Sequence, residues 1–145
     1  MQVFFDTSVL VAASVGSHPY HAQALAALRR VADDQDRGFI SVHSIAEAYA
    51  ALTRLPVAPR IHPSEAGRII RDNILKHFEL VAAGQAEYLQ ALAAVQDKGW
   101  PGVKIYDALL LACAARSGAE RIYTFNLSDF RGLAPPELQA RICAP

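Results

Sequence analysis

The sequence has no surplus of charge and very little cysteine, and each shortage excludes a class of protein. Fourteen lysines and arginines balance fourteen aspartates and glutamates in 145 residues, so the formal net charge is zero. A generally basic surface that binds nucleic acid is therefore absent, and a polyanion must be met by a local patch. The two cysteines, Cys113 and Cys143, are too few for a disulfide framework, and neither lies in a C-x-x-C metal or redox spacing.

Long apolar runs, targeting signals and linkers are also missing. The first residues, Met1 to Asp6, have no positive stretch, long apolar stretch or cleavage site, so no signal peptide is predicted. No apolar run approaches the roughly 20 residues that a membrane span requires. These absences predict a cytoplasmic protein with reduced thiols and no membrane partner. With 52% hydrophobic residues and no Gly/Ser linker or repeat, we expect one domain over residues 1–145.

What the sequence does contain is an alternation of short apolar runs with longer helical segments. The runs typical of strands are Val3 to Phe5, Phe39 to Val42, Phe78 to Val81, Arg121 to Phe125 and, less clearly, Arg141 to Cys143. The segments typical of helices are 7–15, 20–32, 44–54, 64–76, 85–97 and 105–117, and a polar turn is expected after Phe125. Strands that alternate with helices need crossover connections, so we expect an α/β fold with a mainly parallel sheet of four or five strands in a three-layer α/β/α sandwich.

Two acidic residues follow the first two predicted strands. Asp6 comes directly after Phe5, where ligands bind in open parallel sheets, although Asp is also a good N-cap for the next helix. Glu47 follows the second strand and lies off the apolar stripe of its helix, one turn from His43. For an isolated helix, a solvated glutamate making i,i+4 contacts is the simpler interpretation of Glu47.

Asp107 lies in a predicted helix that is apolar on nearly every side. An ionised carboxylate in such a helix is costly unless it is paired or binds a metal. Three interpretations stay open: an ion pair with Lys104 three residues earlier, a favourable position near the helix dipole, and a functional carboxylate.

The segment from Thr124 to Phe130 leaves the fourth predicted strand at its carboxyl end. Asn126 and Asp129 are placed to face the same pocket as the other acids, and for Asp129 an Asx turn is an equal alternative. Carboxylates that converge without a cation repel one another and raise each other's pKa. Ligands limited to Asp, Glu and Asn favour Mg²⁺ or Mn²⁺ over Zn²⁺.

Taken together, four segments resemble the PIN-domain ribonucleases, and more closely the VapC-like toxins of bacterial type II toxin–antitoxin pairs. The segments, in the order typical of the family, are Asp6-Thr7-Ser8, Ser44-Ile45-Ala46-Glu47, Ile105-Tyr106-Asp107-Ala108-Leu109 and Thr124-Phe125-Asn126-Leu127-Ser128-Asp129-Phe130. Each motif is weak alone, and their order over almost the whole chain makes the resemblance specific.

The resemblance implies a Mg²⁺- or Mn²⁺-dependent endoribonuclease. Asp6, Glu47 and Asp107 match the acidic positions of the family, and Ser8 and Thr124 match hydroxyl positions that support the site. The fourth acidic position falls on Asn126, which removes one negative charge and puts a second tightly held metal in doubt. A compensating role for Asp129 through a water stays an alternative.

The mechanism that the resemblance implies is metal-dependent hydrolysis. In it, Asp6 and Asp107 hold the metal, and Glu47 binds it through water or orients the attacking water. That water attacks an RNA phosphodiester in line and leaves a 5′-phosphate and a 3′-hydroxyl. The resemblance also implies a VapB-like antitoxin and a homodimer, for which Leu10 and Val11 on the first helix are the expected surface.

Basic and aromatic residues give weaker signals. The densest basic stretch includes Arg54, Arg68 and Arg71, which we interpret as a solvated helix face, an RNA groove or a docking surface for an acidic antitoxin tail, and Lys104 is a further candidate contact. Trp100 is placed either to stack on an unpaired base or, more commonly, to pack in a turn. The histidines show no ligand or relay spacing, with His43 before Glu47 the nearest exception.

Three other functions compete with the toxin. One is an RNA-maturation PIN nuclease without an antitoxin, which a small open reading frame immediately upstream would argue against. A second is a catalytically silent PIN module, an alternative that Asn126 keeps open. The third is a phosphate-accepting regulatory domain, which prefers paired acids at the first site and a lysine after a late strand, and neither is visible.

Overall fold

Five short strands form one parallel sheet in the computed structural model, which describes residues 1–145. Each strand pairs in parallel with its neighbours, and the order across the sheet is β3-β2-β1-β4-β5. The strands are β1 (Gln2–Phe5), β2 (Arg37–Ser41), β3 (Phe78–Val81), β4 (Arg121–Tyr123) and β5 (Ile142–Cys143). The fold is therefore the expected α/β type.

Eight helices cover the two faces of this sheet. They are α1 (Thr7–Ser14), α2 (His21–Ala32), α3 (Val42–Arg54), α4 (Pro63–Ile69), which continues into a π-helical segment (Ile70–Leu75), α5 (Gln85–Lys98), α6 (Lys104–Ser117), α7 (Leu127–Leu133) and α8 (Pro136–Gln139). None of them is both long enough and apolar enough to cross a membrane.

The core is divided in two by the sheet, as a three-layer sandwich requires. Side chains alternate between the faces of a strand, so Val3 and Phe5 pack with residues of α1 to α4, whereas Phe4 packs with residues of α5 to α8. These three residues of β1 are fully buried, and only Gln2 at its start is partly exposed. This burial on both faces explains why the strand is apolar throughout rather than alternating.

The strand order places a crevice beside β1. The chain adds β2 and β3 on one side of β1 and then returns to add β4 and β5 on the other side. At such a switch in direction, the loops after the two central strands separate and leave a crevice at their carboxyl ends. The residues after β1 and β4 therefore line this crevice.

The predicted polar turn after the fourth strand is wrong. Strand β4 ends at Tyr123, and the chain then forms α7 and α8, helices of seven and four residues. Both are held by burial, since Phe130, Leu133 and Leu138 insert into the core. Helices this short carry too few turns for an apolar period to show, and Asn-Leu-Ser-Asp is as typical of a turn as of a helix start.

The other predicted boundaries differ by a few residues. Helix α3 begins at Val42, which the sequence placed in a strand, because the Ser41 side chain accepts a hydrogen bond from the His43 N–H at 3.1 Å and caps the helix. Helix α4 begins at Pro63, and its cap is the His62 side chain, which accepts from the Ser64 N–H.

Candidate active site

Asp6 lies at the carboxyl end of β1, in the crevice beside β4. Its backbone occupies the N-cap position of α1, yet its side chain makes no capping hydrogen bond. The residue is only 5% exposed. The N-cap interpretation is therefore correct for the backbone and does not account for the carboxylate.

Two hydroxyl groups hold the Asp6 carboxylate. Ser8 Oγ and Thr124 Oγ1 both donate to Asp6 Oδ2, at 2.5 and 2.8 Å. Each hydroxyl also accepts a backbone N–H from the loop after β4, Ser8 from Phe125 at 3.2 Å and Thr124 from Asn126 at 2.9 Å. These bonds tie the two central strand ends together. Burial nevertheless raises the pKa of Asp6, because the bonds offset only part of the desolvation.

Asp107 lies in the first turn of α6 and faces the same crevice. Asn126 Nδ2 donates to Asp107 Oδ2 at 3.0 Å and to Asp129 Oδ2 at 2.9 Å. Burial, followed by the negative charges of Asp6 and Asp129, raises the pKa of Asp107 to about 6. Asn126 thus orients the carboxylate of Asp107, although it adds no charge of its own.

Lys104 pairs with Asp129 rather than with Asp107. The hydrogen bond from Lys104 lowers the pKa of Asp129, so this carboxylate is ionised and compensated by the chain itself. Of the three interpretations of Asp107, the ion pair with Lys104 does not form. The alternative of Asp129 as an Asx-turn residue is replaced by a position in the first turn of α7. The Lys104 ammonium is therefore paired within the chain, and its contact with RNA or an antitoxin stays a prediction.

Glu47 lies in the second turn of α3, half-buried beside the two aspartates. Burial, and then the charges of Asp6 and Asp107, raise the pKa of Glu47 to about 7. His43 Nε2 lies 3.2 Å from Glu47 Oε1, the predicted i,i+4 contact. The two atoms are buried but not aligned as a hydrogen bond, so both lack a hydrogen-bond partner. A freely solvated glutamate does not fit this environment.

The predicted residues line one cavity of about 420 Å³. Asp6, Glu47, Asp107 and Asn126 all contribute to its wall, with Ser8 beside them. Thr124 is fully buried beneath Asp6, and Asp129 lies behind Asn126. Residues that are separated by up to 120 positions in the sequence are thus brought together at the expected edge of the sheet.

Three aromatic residues of the cavity were not predicted. His18, Tyr20 and Phe125 line it, and the rings of Tyr20 and Phe125 are stacked with centroids 4.6 Å apart. His18-Pro19-Tyr20 gives only the signal of a break between helices, since nothing local shows that this loop returns to β4. Phe125, by contrast, was signalled by its place between Thr124 and Asn126.

The predicted basic residues lie outside the cavity. Arg54, Arg68 and Arg71 are exposed and form no ion pair. Arg71 lines a neighbouring apolar groove of about 520 Å³ between α3 and α4, which also contains Ile45 and Tyr49.

Packing corrects one surface prediction and decides between the two interpretations of a second residue. Leu10 and Val11 are buried in the core of the chain itself, so they are not a surface for a second copy. Trp100 packs against Gly132, where an added Cβ would lie 2.5 Å from the indole ring. Of the two interpretations of Trp100, the packed turn aromatic is therefore the one that fits.

A model of the PIN domain family matches residues 3–134 of this chain. The chain belongs to the PIN domain family. This PIN domain is 32% identical over 117 residues to Ribonuclease VapC27 of Mycobacterium tuberculosis (strain ATCC 25618 / H37Rv), an alignment that covers 79% of the chain and 78% of the relative. The resemblance to VapC-like PIN ribonucleases that the four motifs indicated is confirmed.

Solved structures support the same fold. The PIN domain superposes on Mycobacterium tuberculosis VapC20, a Sarcin-Ricin loop cleaving toxin, with a TM-score of 0.67 and 18% identity, covering 88% of this chain and 92% of that chain. It superposes on VapBC2 from Rickettsia felis, bound to a DNA fragment from their promoter, with a TM-score of 0.63 and 18% identity, covering 88% and 90%. The PIN-like sandwich predicted from the sequence is confirmed.

Proposed function

We propose that this PIN domain is the toxin of a type II toxin–antitoxin pair and hydrolyses RNA phosphodiester bonds with the help of Mg²⁺ or Mn²⁺. The observation that carries the proposal is the set of three buried or half-buried carboxylates on one cavity. No lysine or arginine forms an ion pair with Asp6, Glu47 or Asp107. A buried carboxylate is costly without a cation, so the cation is expected from outside the chain.

The residues present fit a hard divalent cation. All three acids offer oxygen, and buried Glu47 Oε1 has no hydrogen-bond partner. No three His, Cys, Asp or Glu side chains form a ready-made metal cluster. This is consistent with Mg²⁺, which usually keeps several waters and takes one or two carboxylates directly. Asp6 and Asp107 would hold the ion, which supplies charge neutralisation at the phosphate and a more acidic bound water.

The remaining side chains of the site either position the two aspartates or transfer a proton. Ser8 and Thr124 keep the Asp6 carboxylate in one orientation, and Asn126 does the same for Asp107. Glu47 is placed to orient the attacking water and to accept its proton, because it lines the same cavity as Asp6 and Asp107. The products are a 5′-phosphate and a 3′-hydroxyl.

The proposed partners follow from the relatives. We propose a VapB-like antitoxin, supported by the similarity to VapC27 and to the VapBC2 structure, together with a cytoplasmic location and a homodimer, whose surface must be other than Leu10 and Val11. A catalytically silent PIN module is the second candidate, favoured by Asn126, where an amide donor occupies a position that is often acidic in the family.

Purified protein tests the proposal directly. With Mg²⁺, we expect the wild-type chain to cleave RNA and to leave 5′-phosphates, and we expect Asp6→Asn to lose about 100-fold or more of this activity. Asp97→Asn is a matched control, because it makes the same chemical change on the exposed side of α5. Cleavage that survives in Asp6→Asn would falsify the mechanism, and no cleavage by the folded wild type would favour the silent module.

Growth arrest separates the toxin from a maturation nuclease. On expression, we expect arrest by the wild-type chain and relief by Asp6→Asn. Sequencing of the 5′ ends of RNA produced on induction would locate the cleavage sites. Cleavage without arrest would favour the maturation nuclease.

A further inference from the structure

One wall of the acidic cavity is aromatic. Tyr20 and Phe125 stack nearly parallel, with an interplanar angle of 17°. The His18 ring lies against both of them, with centroids 5.9 Å from Tyr20 and 6.4 Å from Phe125. Tyr20 is 50% exposed, so this ring contributes little to the core and presents apolar surface at the mouth of the cavity.

The aromatic wall is fixed relative to the carboxylates. Phe125 lies between Thr124 and Asn126 in the chain, and its N–H donates to Ser8, the residue that holds Asp6. His18 Nδ1 accepts a hydrogen bond from the backbone N–H of Tyr20 at 3.1 Å, which holds the His18 ring against its own loop. Phe125 is therefore held by a contact that also holds Asp6, and Tyr20 and His18 pack against Phe125.

A second aromatic pair lies one helical turn from Glu47, on the side away from Tyr20. His43 and Tyr106 stack with centroids 5.0 Å apart and an interplanar angle of 25°. His43 precedes Glu47 by four residues, whereas Ala51, which lines the cavity with Tyr20, follows it by four. At 1.5 Å per residue, these positions lie roughly 6 Å on either side of Glu47 along one face of α3. Tyr106, 44% exposed, directly precedes Asp107.

We infer that Tyr20 and Tyr106 are base-stacking positions on either side of the phosphate that this site cleaves. The inference rests on the proposed function and adds to it the residues that hold the neighbouring nucleotides. An exposed aromatic ring binds the face of an unpaired base, and such stacking tolerates any base identity. A zero net charge gives the chain weak general attraction for RNA, so stacking beside the acids supplies binding that electrostatics does not.

Paired bases are excluded by the same geometry. In a duplex the base faces are already stacked on one another and are not available to Tyr20 or Tyr106. RNA that binds through these rings therefore presents unpaired nucleotides on both sides of the cleaved bond.

Binding measurements with the full chain test the inference. The probes are a fluorescein-labelled 12-nucleotide single-stranded RNA, the same strand in a duplex, and the same strand with abasic residues, all with Mg²⁺ and in an Asp107→Asn background that stops cleavage. We expect Tyr20→Leu and Tyr106→Leu each to weaken binding of the single strand about 5- to 100-fold. We expect Tyr20→Phe and Tyr106→Phe to bind within about twofold of the parent, since the aromatic face is kept.

The abasic and duplex probes separate stacking from other effects. They are expected to bind weakly to the parent and to be unaffected by Tyr20→Leu. Tyr49→Leu is the matched control, since Tyr49 is a similarly exposed tyrosine that lines the groove between α3 and α4 instead of the cavity. Circular dichroism verifies that each variant is folded. Leu keeps an apolar side chain but lacks both the aromatic face and the hydroxyl, and the Phe variants separate these two losses.

The outcomes distinguish this inference from the proposed function. Single-strand binding that is unchanged in both leucine variants overturns the inference, even if the wild-type chain cleaves RNA. Equal losses for the abasic probe and the intact strand also overturn it, because they show a structural effect. Loss restricted to the intact strand supports it, and does so even if the wild-type chain proves unable to hydrolyse RNA.

Discussion

The two ends of the sheet each bury a carboxylate, and they treat it in opposite ways. At the amino end, the Asp36 side chain is 2% exposed, accepts from Arg30 Nε and Nη2 at 2.7 and 3.2 Å, and pairs with the Met1 amino group at 3.1 Å. The hydrogen bond from Arg30 is the main reason why the pKa of Asp36 is lowered. At the carboxyl end, Asp6 is similarly buried but has only hydroxyl partners, and its pKa is raised.

The same contrast extends to the residues around them. A cleft of about 440 Å³ at the amino end contains Arg37 and Glu79, which form a two-point ion pair, and the pKa of Glu79 is lowered. Glu47 and Asp107 in the carboxyl-end cavity have no such partner, and their pKa values are raised. Burial alone therefore does not distinguish the structural acid Asp36 from the acids for which we propose a catalytic role. The distinguishing property is whether the chain provides a cation.

The largest expected effect is on folding stability. Asp36→Asn should lower the free energy of unfolding by about 2 kcal/mol, because it weakens charged hydrogen bonds to Arg30. Asp6→Asn should leave the metal-free protein as stable as the wild type or more stable, because it removes an uncompensated buried charge. Urea unfolding with EDTA measures both variants. Equal losses in the two would break the comparison.

The next effect concerns the cation from outside. At 10 mM Mg²⁺ and a dissociation constant of about 1 mM, the wild type should gain about 1.4 kcal/mol of unfolding free energy. The Asp36→Asn variant is less stable without metal, but Mg²⁺ should raise its unfolding free energy by the same amount. For Asp107→Asn, the increase caused by Mg²⁺ should be much smaller. Thermal unfolding with and without Mg²⁺ provides the measurement. Repeating it with Ca²⁺ and Mn²⁺ shows how selective the site is among divalent cations. A gain that persists in Asp107→Asn would place the ion elsewhere.

A smaller effect is expected from pH. The pKa of Glu47 rises from an ordinary 4.5 to about 7 on folding, so in the absence of metal the native state keeps a proton that the unfolded state has lost. The contribution of this proton to the free energy of unfolding is fully present below about pH 4 and is lost as pH rises through 7. With solvent screening taken into account, the loss between pH 5 and 8 is about 1 kcal/mol. Glu47→Gln should remove most of this fall.

At the amino end of the sheet, the change of unfolding free energy with pH should have the opposite sign. The lowered pKa of Asp36 contributes stability above the ordinary range of an aspartate, and this stability is lost as pH falls through and below that range. Metal-free protein should therefore be most stable near pH 5. A wild-type unfolding free energy that rises steadily from pH 5 to pH 8 would contradict the assignment of raised pKa values to the carboxyl end.

The smallest effect concerns the unpaired arginines near the site. If Arg68 and Arg71 contact phosphates, replacing both with Gln should reduce the slope of log binding constant against log salt by about 0.7 for each contact with single-stranded RNA. Arg29→Gln on α2 is the matched control, since Arg29 is also exposed and unpaired. An unchanged slope would leave these arginines as a solvated face or an antitoxin surface.

Much of the fold could be predicted because it depends on local patterns. Val3 to Phe5 is apolar because that strand is buried on both faces, and Gly118 ends α6 in a left-handed conformation with φ of 72°. Prediction failed at α7 and α8, which are too short to show a period and are stabilised by Phe130 and Leu138 against a distant core. Local signals decide long elements, and tertiary packing decides short ones.

The site divides in the same way. Asp6, Glu47, Asp107 and Asn126 could be identified because each follows a strand or lies in an apolar helix where an acid or amide is out of place. Lys104 could not be assigned to Asp129, since the sequence offers Asp107 at a nearer and equally suitable spacing. The position of Tyr20 against Phe125 depends on two loops whose residues are 105 positions apart.

By itself, then, the sequence determined the α/β alternation, the family and the acids at the strand ends, because these depend on residue type and short spacing. Only the tertiary structure decided which acids have a cation. It paired Asp36 with Arg30 and Asp129 with Lys104, and left Asp6, Glu47 and Asp107 together without a lysine or arginine. The physical reason is that the cost of a buried charge depends on neighbours in space, and folding brings those neighbours from anywhere in the chain.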